Sequence, residues 1–570
     1  MEAKEFYLSK PWLKFYPSGV PHTVEVPPVP VTALFDQAAE KYGNRAALVF
    51  YGEEIKYRQL REAADRFAAA LADLGVGKGQ KVALYLVNSP QYVIAYFGIL
   101  KTGATVSPVS PVYTSIELRH QLKDSGAKTV VCQDILYENV KKTGLELDHV
   151  ILTGVEEYLP SVVRLLGKGV FKRRFGERSK PPEEIYRQKG FFKFQDLLKK
   201  YPPKPPAVKI DPALDVASLP YTGGTTGPSK GVLLTHANLV ACQQQIQAFW
   251  SPKIEEGREV VIAFLPFYHI YGQVALMLNS LVSGLTLVLF TTPDYDEILY
   301  AAEKYGATVF YGVPTIYEFL REYDKTARVN WKRLKVIVCG ADTLHEKTVN
   351  GWRQRTGTEI TEGYGMTETS AVSHITPPDR SKPGSFGVPI PNVLAAIVDP
   401  DTNAFLPPGE VGELIVSGPN IMEGYWQQPE ETARALFELE GRKWLKTGDL
   451  ARMDEEGYFY FYDRKKDLIK YKGYSVFARE VEEVLYGHPQ VKMAGVIGVP
   501  DPKVGQIIKA NVVLFSEARG KVSEEEIIAY CRERLAHYKV PQIVEFRGEL
   551  PKTDVGKVSR RELREEAEGL

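Results

Sequence analysis

Apolar positions recur at helical spacing over residues 31–42, 58–74, 91–102 and 116–125. Between them they bunch into short β-rich runs at 46–51, 54–57, 81–86 and 129–132, with Gly52 turning the first two into a strand pair. Such alternation predicts helices layered on sheets. Further strands are expected at 308–311 and 336–339, and around 383–417 the texture shifts to short strands with Gly/Pro turns, a small β-rich unit. Beyond the very basic run 463–472, helices at 478–486 and 523–535 alternate with strands at 496–499 and 510–514. That pattern predicts a compact α/β module with its boundary at 463–466.

The apolar run 260–290 is long enough to span a bilayer, and only His269 in it can carry charge near neutral pH. Pro266, Gln273, Asn279, Ser280, Ser283 and the glycines interrupt it, so a core helix followed by a buried strand at 285–290 is expected.

A chain of 570 residues exceeds what one core supports, which predicts two to four structural units. With 71 basic and 71 acidic residues it has no electrostatic reason to seek nucleic acid. Cys132, Cys242, Cys339 and Cys531 show neither pairing nor metal spacing, and EAKEFYLSK after Met1 does not read as a signal peptide. A cytoplasmic protein is expected. Residues 161–180 carry seven basic residues and one acid among apolar ones, a pattern that suits a peripheral membrane contact as well as a solvated loop or a contact with another subunit, as in a homodimer.

The densest chemistry lies in 221–231, YTGGTTGPSKG, with four glycines, three threonines, a serine and a lysine. Glycines let backbone N–H groups approach an anion, the hydroxyls add donors and Lys230 adds a charge, so the loop reads as a phosphate cradle. It is not a P-loop, because Lys230 follows Ser229 and precedes Gly231. Four more segments accompany it: TEGYGMTETS at 361–370, KTGDL at 446–450, DRKKDLIKYKG at 463–473 and PKTDVGK at 551–557. Tyr364 between glycines can stack on a base, and Thr367 and Glu368 suit a phosphate-bound Mg²⁺. Taken singly, each segment also reads as a turn, a charged strand edge or a solvated tail, and His269 in PFYHIYG as a packed core histidine.

In this order the five segments resemble the adenylate-forming superfamily of acyl- and aryl-CoA ligases, over essentially the whole chain. KPWLKFYPSGVP at 10–21 and SPVYTSIEL at 110–118 resemble its long-chain fatty acyl-CoA synthetases. The cradle departs from the family pattern by one serine and a displaced proline, and the adenine-side Gly-Gly-Ala stands here as Cys339, Gly340, Ala341 and Asp342.

The resemblance implies an α/β fold: a large N-terminal domain (1–463) of two layered α/β subdomains and a small β-barrel, with a mobile C-terminal α+β domain (464–570). It implies ATP-dependent activation of a fatty acid to acyl-AMP and transfer to coenzyme A. Lys557 would bind the carboxylate and α-phosphate, and Thr222, Gly223, Gly224, Thr225, Thr226, Gly227 and Lys230 would cradle the outer phosphates. Glu368 with Thr222 would hold Mg²⁺. Tyr364 would stack on adenine within Gly340, Ala341, Asp342, Glu362, Gly363, Gly365 and Thr367, and Asp449 with Arg464 would take the ribose. His269 would stand at the acyl–CoA junction, with Phe267, Tyr268 and Tyr271 walling the acyl tunnel. Rotation at Lys466 would swap Lys557 out and bring in Lys470, with Lys472 and Gly473 beside CoA. Acetyl-specific relatives place a tryptophan where Gly365 stands, which argues here for a longer acid. A medium-chain or aryl (coumarate-like) CoA ligase is the alternative within the family. A non-catalytic fatty-acid-binding protein is the alternative outside it, opposed by intact Lys557, Glu368 and Asp449.

Overall fold

Short apolar strands, most of them followed by a helix, assemble two nine-stranded sheets in the computed structural model, which describes residues 2–160, 180–222, 229–342, 344–472, 474–552 and 558–568. In the first sheet Thr361–Tyr364, Val336–Cys339, Val309–Gly312, Val260–Ala263, Thr286–Leu289 and Ala46–Phe50 lie side by side and parallel. Antiparallel edges close it, Glu53–Lys56 on one side and His374–Ile375 with Val388–Pro389 on the other. The second sheet places Val216–Ser218, Thr105–Pro108, Lys81–Tyr85, Thr129–Gln133, His149–Thr153 and Phe191–Lys193 in parallel. Its antiparallel edge strand Lys230–Thr235 also pairs with Tyr221–Thr222 and Gly424–Tyr425.

Helices cover both faces, so these strands read as unbroken apolar runs rather than alternating ones. Helix Pro90–Lys101 is buried at every residue. Its one charge, Lys101, is compensated by Asp36 at 2.6 Å and Asp65 at 2.5 Å. Helix Ser115–Ser125 starts at a capping box in which the Thr114 N–H donates to Glu117 at 2.8 Å and ends at Gly126 in the left-handed region.

The β-rich unit is a five-stranded antiparallel sheet of Leu394–Val398, Gly412–Ser417, Arg442–Met453, Leu436–Leu439 and Phe459–Arg464. A short turn, Lys465–Asp467, then leads into the C-terminal sheet of Ile469–Tyr471, Tyr474–Val476, Val491–Asp501, Gly505–Leu514 and Ile543–Phe546, packed by helices Ala478–Tyr486, Glu524–Arg532 and Arg560–Glu568. The apolar cores separate at the same place: the N-terminal core ends at Phe459 and a second begins at Ile469.

The apolar run 260–290 differs from expectation at its start. It opens with the strand Val260–Ala263 before the helical stretch Tyr271–Leu278 and Asn279–Val282 and the strand Thr286–Leu289. A strand of four apolar residues carries no period of its own, so it merges with the helix that follows. Among the described residues no helix is long and apolar enough to cross a membrane. Residues 161–179 lie outside the described ones. Lys180 at their end is paired with Asp134 at 2.9 Å and with Glu156.

Candidate active site

One cavity of about 1560 Å³ opens where the two large sheets, the antiparallel sheet and the C-terminal unit meet. Thr222, Lys230, His269, Gly340, Ala341, Asp342, Glu362, Gly363, Tyr364, Gly365, Thr367, Glu368, Asp449, Arg464 and Lys466 all line it. Gly223, Gly224, Thr225, Thr226, Gly227, Gly473 and Lys557 lie outside the described residues.

Strand pairing sets one corner of the cavity. Asp449 and Arg464 face each other on neighbouring antiparallel strands, with Arg464 Nε 3.7 Å from Asp449 Oδ1. The Tyr364 hydroxyl donates to Asp449 Oδ2 at 2.6 Å, and its ring packs on Phe386 at 4.5 Å, so one face is propped and the hydroxyl held. An aromatic face, a carboxylate and a guanidinium thus converge as a nucleoside would need.

A second corner is built on the hairpin in which Thr222 pairs with Lys230. Lys230 Nζ is paired with Glu431 and lies 5.5 Å from the Tyr425 ring. The Tyr425 hydroxyl donates to Glu368 Oε1 at 2.7 Å, so Tyr425 joins the lysine to the buried carboxylate. Burial raises the Glu368 pKa, and the bond from Tyr425 opposes that rise. Among the described residues no group of three or more His, Cys, Asp or Glu could hold a metal by itself. One carboxylate with a nearby threonine fits Mg²⁺, which keeps waters and takes its remaining oxygens from phosphates. Sequence reasoning missed Tyr425 and Glu431, because GYWQQPEET carries no spacing that distinguishes it from a loop.

Two glycines are needed for close approach. A Cβ on Gly340 would come within 3.1 Å of the Tyr271 ring. On Gly365 it would lie 2.0 Å from the Ala371 carbonyl oxygen and 2.8 Å from the Val372 Cα. Gly365 itself lines the cavity, and a side chain there would require the Ala371–Val372 backbone to shift.

Burial raises Glu362 to about 7, against the lowering effect of Arg479 from the C-terminal unit. His269 Nδ1 accepts the Tyr271 N–H at 3.3 Å. Apolar side chains also line the cavity: Ile246 and Trp250 from helix His236–Trp250 and Ala275 from the π-helical stretch Tyr271–Leu278. Phe267, expected in this wall, is buried behind it and does not line the cavity.

From the C-terminal unit, Lys552 and Val558 pair across the segment that contains Lys557, and both line the cavity. Lys470 and Lys472 do not line it. Lys470 is exposed on Ile469–Tyr471, its N–H donating to Gln506 at 2.8 Å, and Lys472 stands exposed with φ 49°. The unit is held by ion pairs. Arg560 meets Asp463 at 2.9 Å, Asp467 at 3.2 Å and Glu482 at 2.5 Å, and His345 meets Glu483 at 3.2 Å.

Residues 35–426 match the AMP-binding enzyme family and 480–557 the AMP-binding enzyme C-terminal domain. The chain is similar to a long-chain-fatty-acid–CoA ligase of Bacillus subtilis, 38% identical over 561 residues that cover 98% of each chain. ATP-bound MatB from Rhodopseudomonas palustris superimposes with a TM-score of 0.81 at 28% identity, over 94% of this chain and 99% of that one. Apo MatB, with the same identity and coverage, superimposes with a TM-score of 0.70.

Proposed function

The chain belongs to the AMP-binding enzyme family, and from that membership we propose that it activates a long-chain fatty acid with ATP and transfers it to coenzyme A. The observation that carries this reading is one cavity lined both by Tyr364, Asp449 and Arg464 and by the apolar Ile246, Trp250 and Ala275. A nucleotide and an alkyl chain would meet near His269.

In the first step the fatty carboxylate displaces pyrophosphate from ATP and forms acyl-AMP. In the second, the CoA thiol displaces AMP and forms the thioester. Asp449 orients the ribose, Tyr364 stacks on the base, and Lys230, released from Glu431, meets the phosphates. Glu368 and Thr222 would hold Mg²⁺, which neutralises phosphate charge when bound. Lys557 serves acyl-AMP formation and Lys470 the thioester step, with the turn at Lys466 between them. The higher likeness to ATP-bound than to apo MatB supports reading the present orientation as the one that uses ATP. A peripheral membrane contact through 161–180 would rest on residues before Lys180, which is committed to Asp134 and Glu156.

ATP–pyrophosphate exchange with palmitate, octanoate and coumarate tests the reading. Palmitate is expected to give the highest kcat/KM. Preference for coumarate would make the enzyme an aryl-CoA ligase, and no acid-dependent exchange would make it a binding protein.

A further inference from the structure

The strand that carries Lys230 and the turn that carries Glu368 are far apart in sequence, and one segment, 418–426, bonds to both. On one side Gly424 and Tyr425 pair with Leu233 and Val232, and the Trp426 N–H donates to the Gly231 carbonyl at 2.8 Å. On the other side the Met422 N–H donates to the Glu368 carbonyl at 2.9 Å. The buried Asn420 amide donates to the Thr369 and Val372 carbonyls at 3.0 and 2.9 Å. The Ser370 hydroxyl donates back to the Asn420 carbonyl at 2.9 Å.

The turn needs this support. Ser370 and Ala371 stand at φ 56° and 113°, a region that residues with a Cβ keep only where their surroundings hold them. Segment 418–426 is thus a bracket that fixes where Glu368 stands relative to Lys230.

Tyr425 completes the bracket with one side chain that reaches both groups. Its hydroxyl donates to Glu368 Oε1 at 2.7 Å. Its ring lies 5.5 Å from Lys230 Nζ, within range of a cation–π attraction. The hydroxyl fixes the rotation of the carboxylate, and the ring keeps the ammonium nearby. Metal-binding carboxylates are themselves hydrogen-bonded, and losing that partner weakens metal binding by about 10- to 100-fold. Mg²⁺ takes only one or two carboxylates from a protein, so the aim of a single one counts for much.

We propose that Tyr425 is a positioning residue, which sets the Glu368 carboxylate for a phosphate-bound Mg²⁺ and the Lys230 ammonium for the same phosphates. The proposal rests on the nucleotide half of the reading above. Tyr425 acts through these two groups by separable parts of its side chain, so the two contributions can be removed one at a time.

The test is the calorimetric Kd of ATP, measured once with saturating Mg²⁺ and once with EDTA, with unfolding temperatures to show that every variant is folded. The ratio of the two constants is the gain in affinity that the metal brings. In Tyr425→Phe, which keeps the ring, the gain is expected to fall about 10-fold while the Kd in EDTA stays within about twofold of wild type. In Tyr425→Leu, which loses the ring as well, the Kd in EDTA should also rise by about two- to fivefold. In a Glu368→Gln background, adding Tyr425→Phe should change the gain no further, because the hydroxyl acts through that carboxylate. A wild-type gain in Tyr425→Phe overturns the proposal. So does an equal loss of ATP affinity with and without metal, which would make the tyrosine merely structural. A wild type that binds no ATP in either condition overturns the nucleotide reading and the proposal with it. ATP binding with the expected gains, but no exchange with any acid, overturns the reaction alone and supports the role of Tyr425.

Discussion

At the nucleotide end of the cavity Tyr364, Arg464, Glu368 and Lys230 each lean on a named partner, whereas at the acyl end Tyr271, Asn279 and Ser280 keep buried polar atoms with none among the described residues. A polyanion is recognised by charges whose positions are fixed before it arrives, so each must be tied to a neighbour. An alkyl chain asks only for volume, and the residues that shape that volume are the ordinary ones of any core. One end is specified by contacts and the other by shape.

If the ends are separable in this way, substitutions at the nucleotide end should leave acid preference alone. The largest effect is expected from Lys557→Ala, which should slow ATP–pyrophosphate exchange on the order of 10²–10³-fold while thioester formation from supplied acyl-AMP persists. Lys470→Ala should do the reverse, and equal loss of both steps in both variants would show that the two lysines do not divide the work. Asp449→Asn comes next, with the KM for ATP rising about 10- to 100-fold through loss of a charged acceptor shared by Tyr364 and Arg464. A parallel shift in acid chain-length preference in that variant would mean that the two ends are coupled.

Glu362 sharpens the comparison through pH. Its carboxyl is raised from 4.5 to about 7 by burial, so the folded state binds this proton more tightly than the unfolded state. Stability is therefore lost as pH rises from the lower value to the upper. Glu362→Gln should be more stable than wild type at about pH 8 by about 1–3 kcal/mol, with the gap closing below about pH 5. Denaturant titrations at the two pH values check this, and a gap that does not depend on pH rejects it. The smallest effect is expected from Tyr364→Phe, which keeps the ring and loses the bond to Asp449. The KM for ATP should rise about fivefold, measurable by exchange kinetics, and a loss as large as that of Asp449→Asn would make the hydroxyl rather than the ring the main contribution.

The contact-built end was legible in the chain. Tyr364, Glu368, Asp449 and Arg464 sit in short segments whose residue types state their chemistry; strand pairing sets Asp449 against Arg464, and the Tyr364 hydroxyl reaches Asp449. The strand Val336–Cys339 and the helix Ala478–Tyr486 fall where apolar spacing puts them. The shape-built end was not legible. Trp250 is one aromatic at the end of a buried helix and Tyr311 one residue of a β-rich run, and nothing local says that both line one cavity. Glu431 and Arg560 escaped notice because their partners lie 201 and up to 97 residues away in sequence.

Asp463 closes the antiparallel sheet with a carboxylate that has no exposed surface. Besides the N–H of its neighbour Arg464, it accepts from the Arg479 N–H at 3.0 Å and from Arg560 at 2.9 Å, both beyond the turn Lys465–Asp467. If the C-terminal unit swings about that turn, both partners leave together, and a bare buried carboxylate costs several kcal/mol. The swing must then wait until water reaches Asp463, and the pace of the second half-reaction becomes a question of wetting rather than of moving mass. A thioester step that slows in proportion to solvent viscosity would argue against this, and one indifferent to viscosity but faster in Asp463→Asn would support it. The enzyme's slowest large motion would then be timed by the hydration of a single side chain.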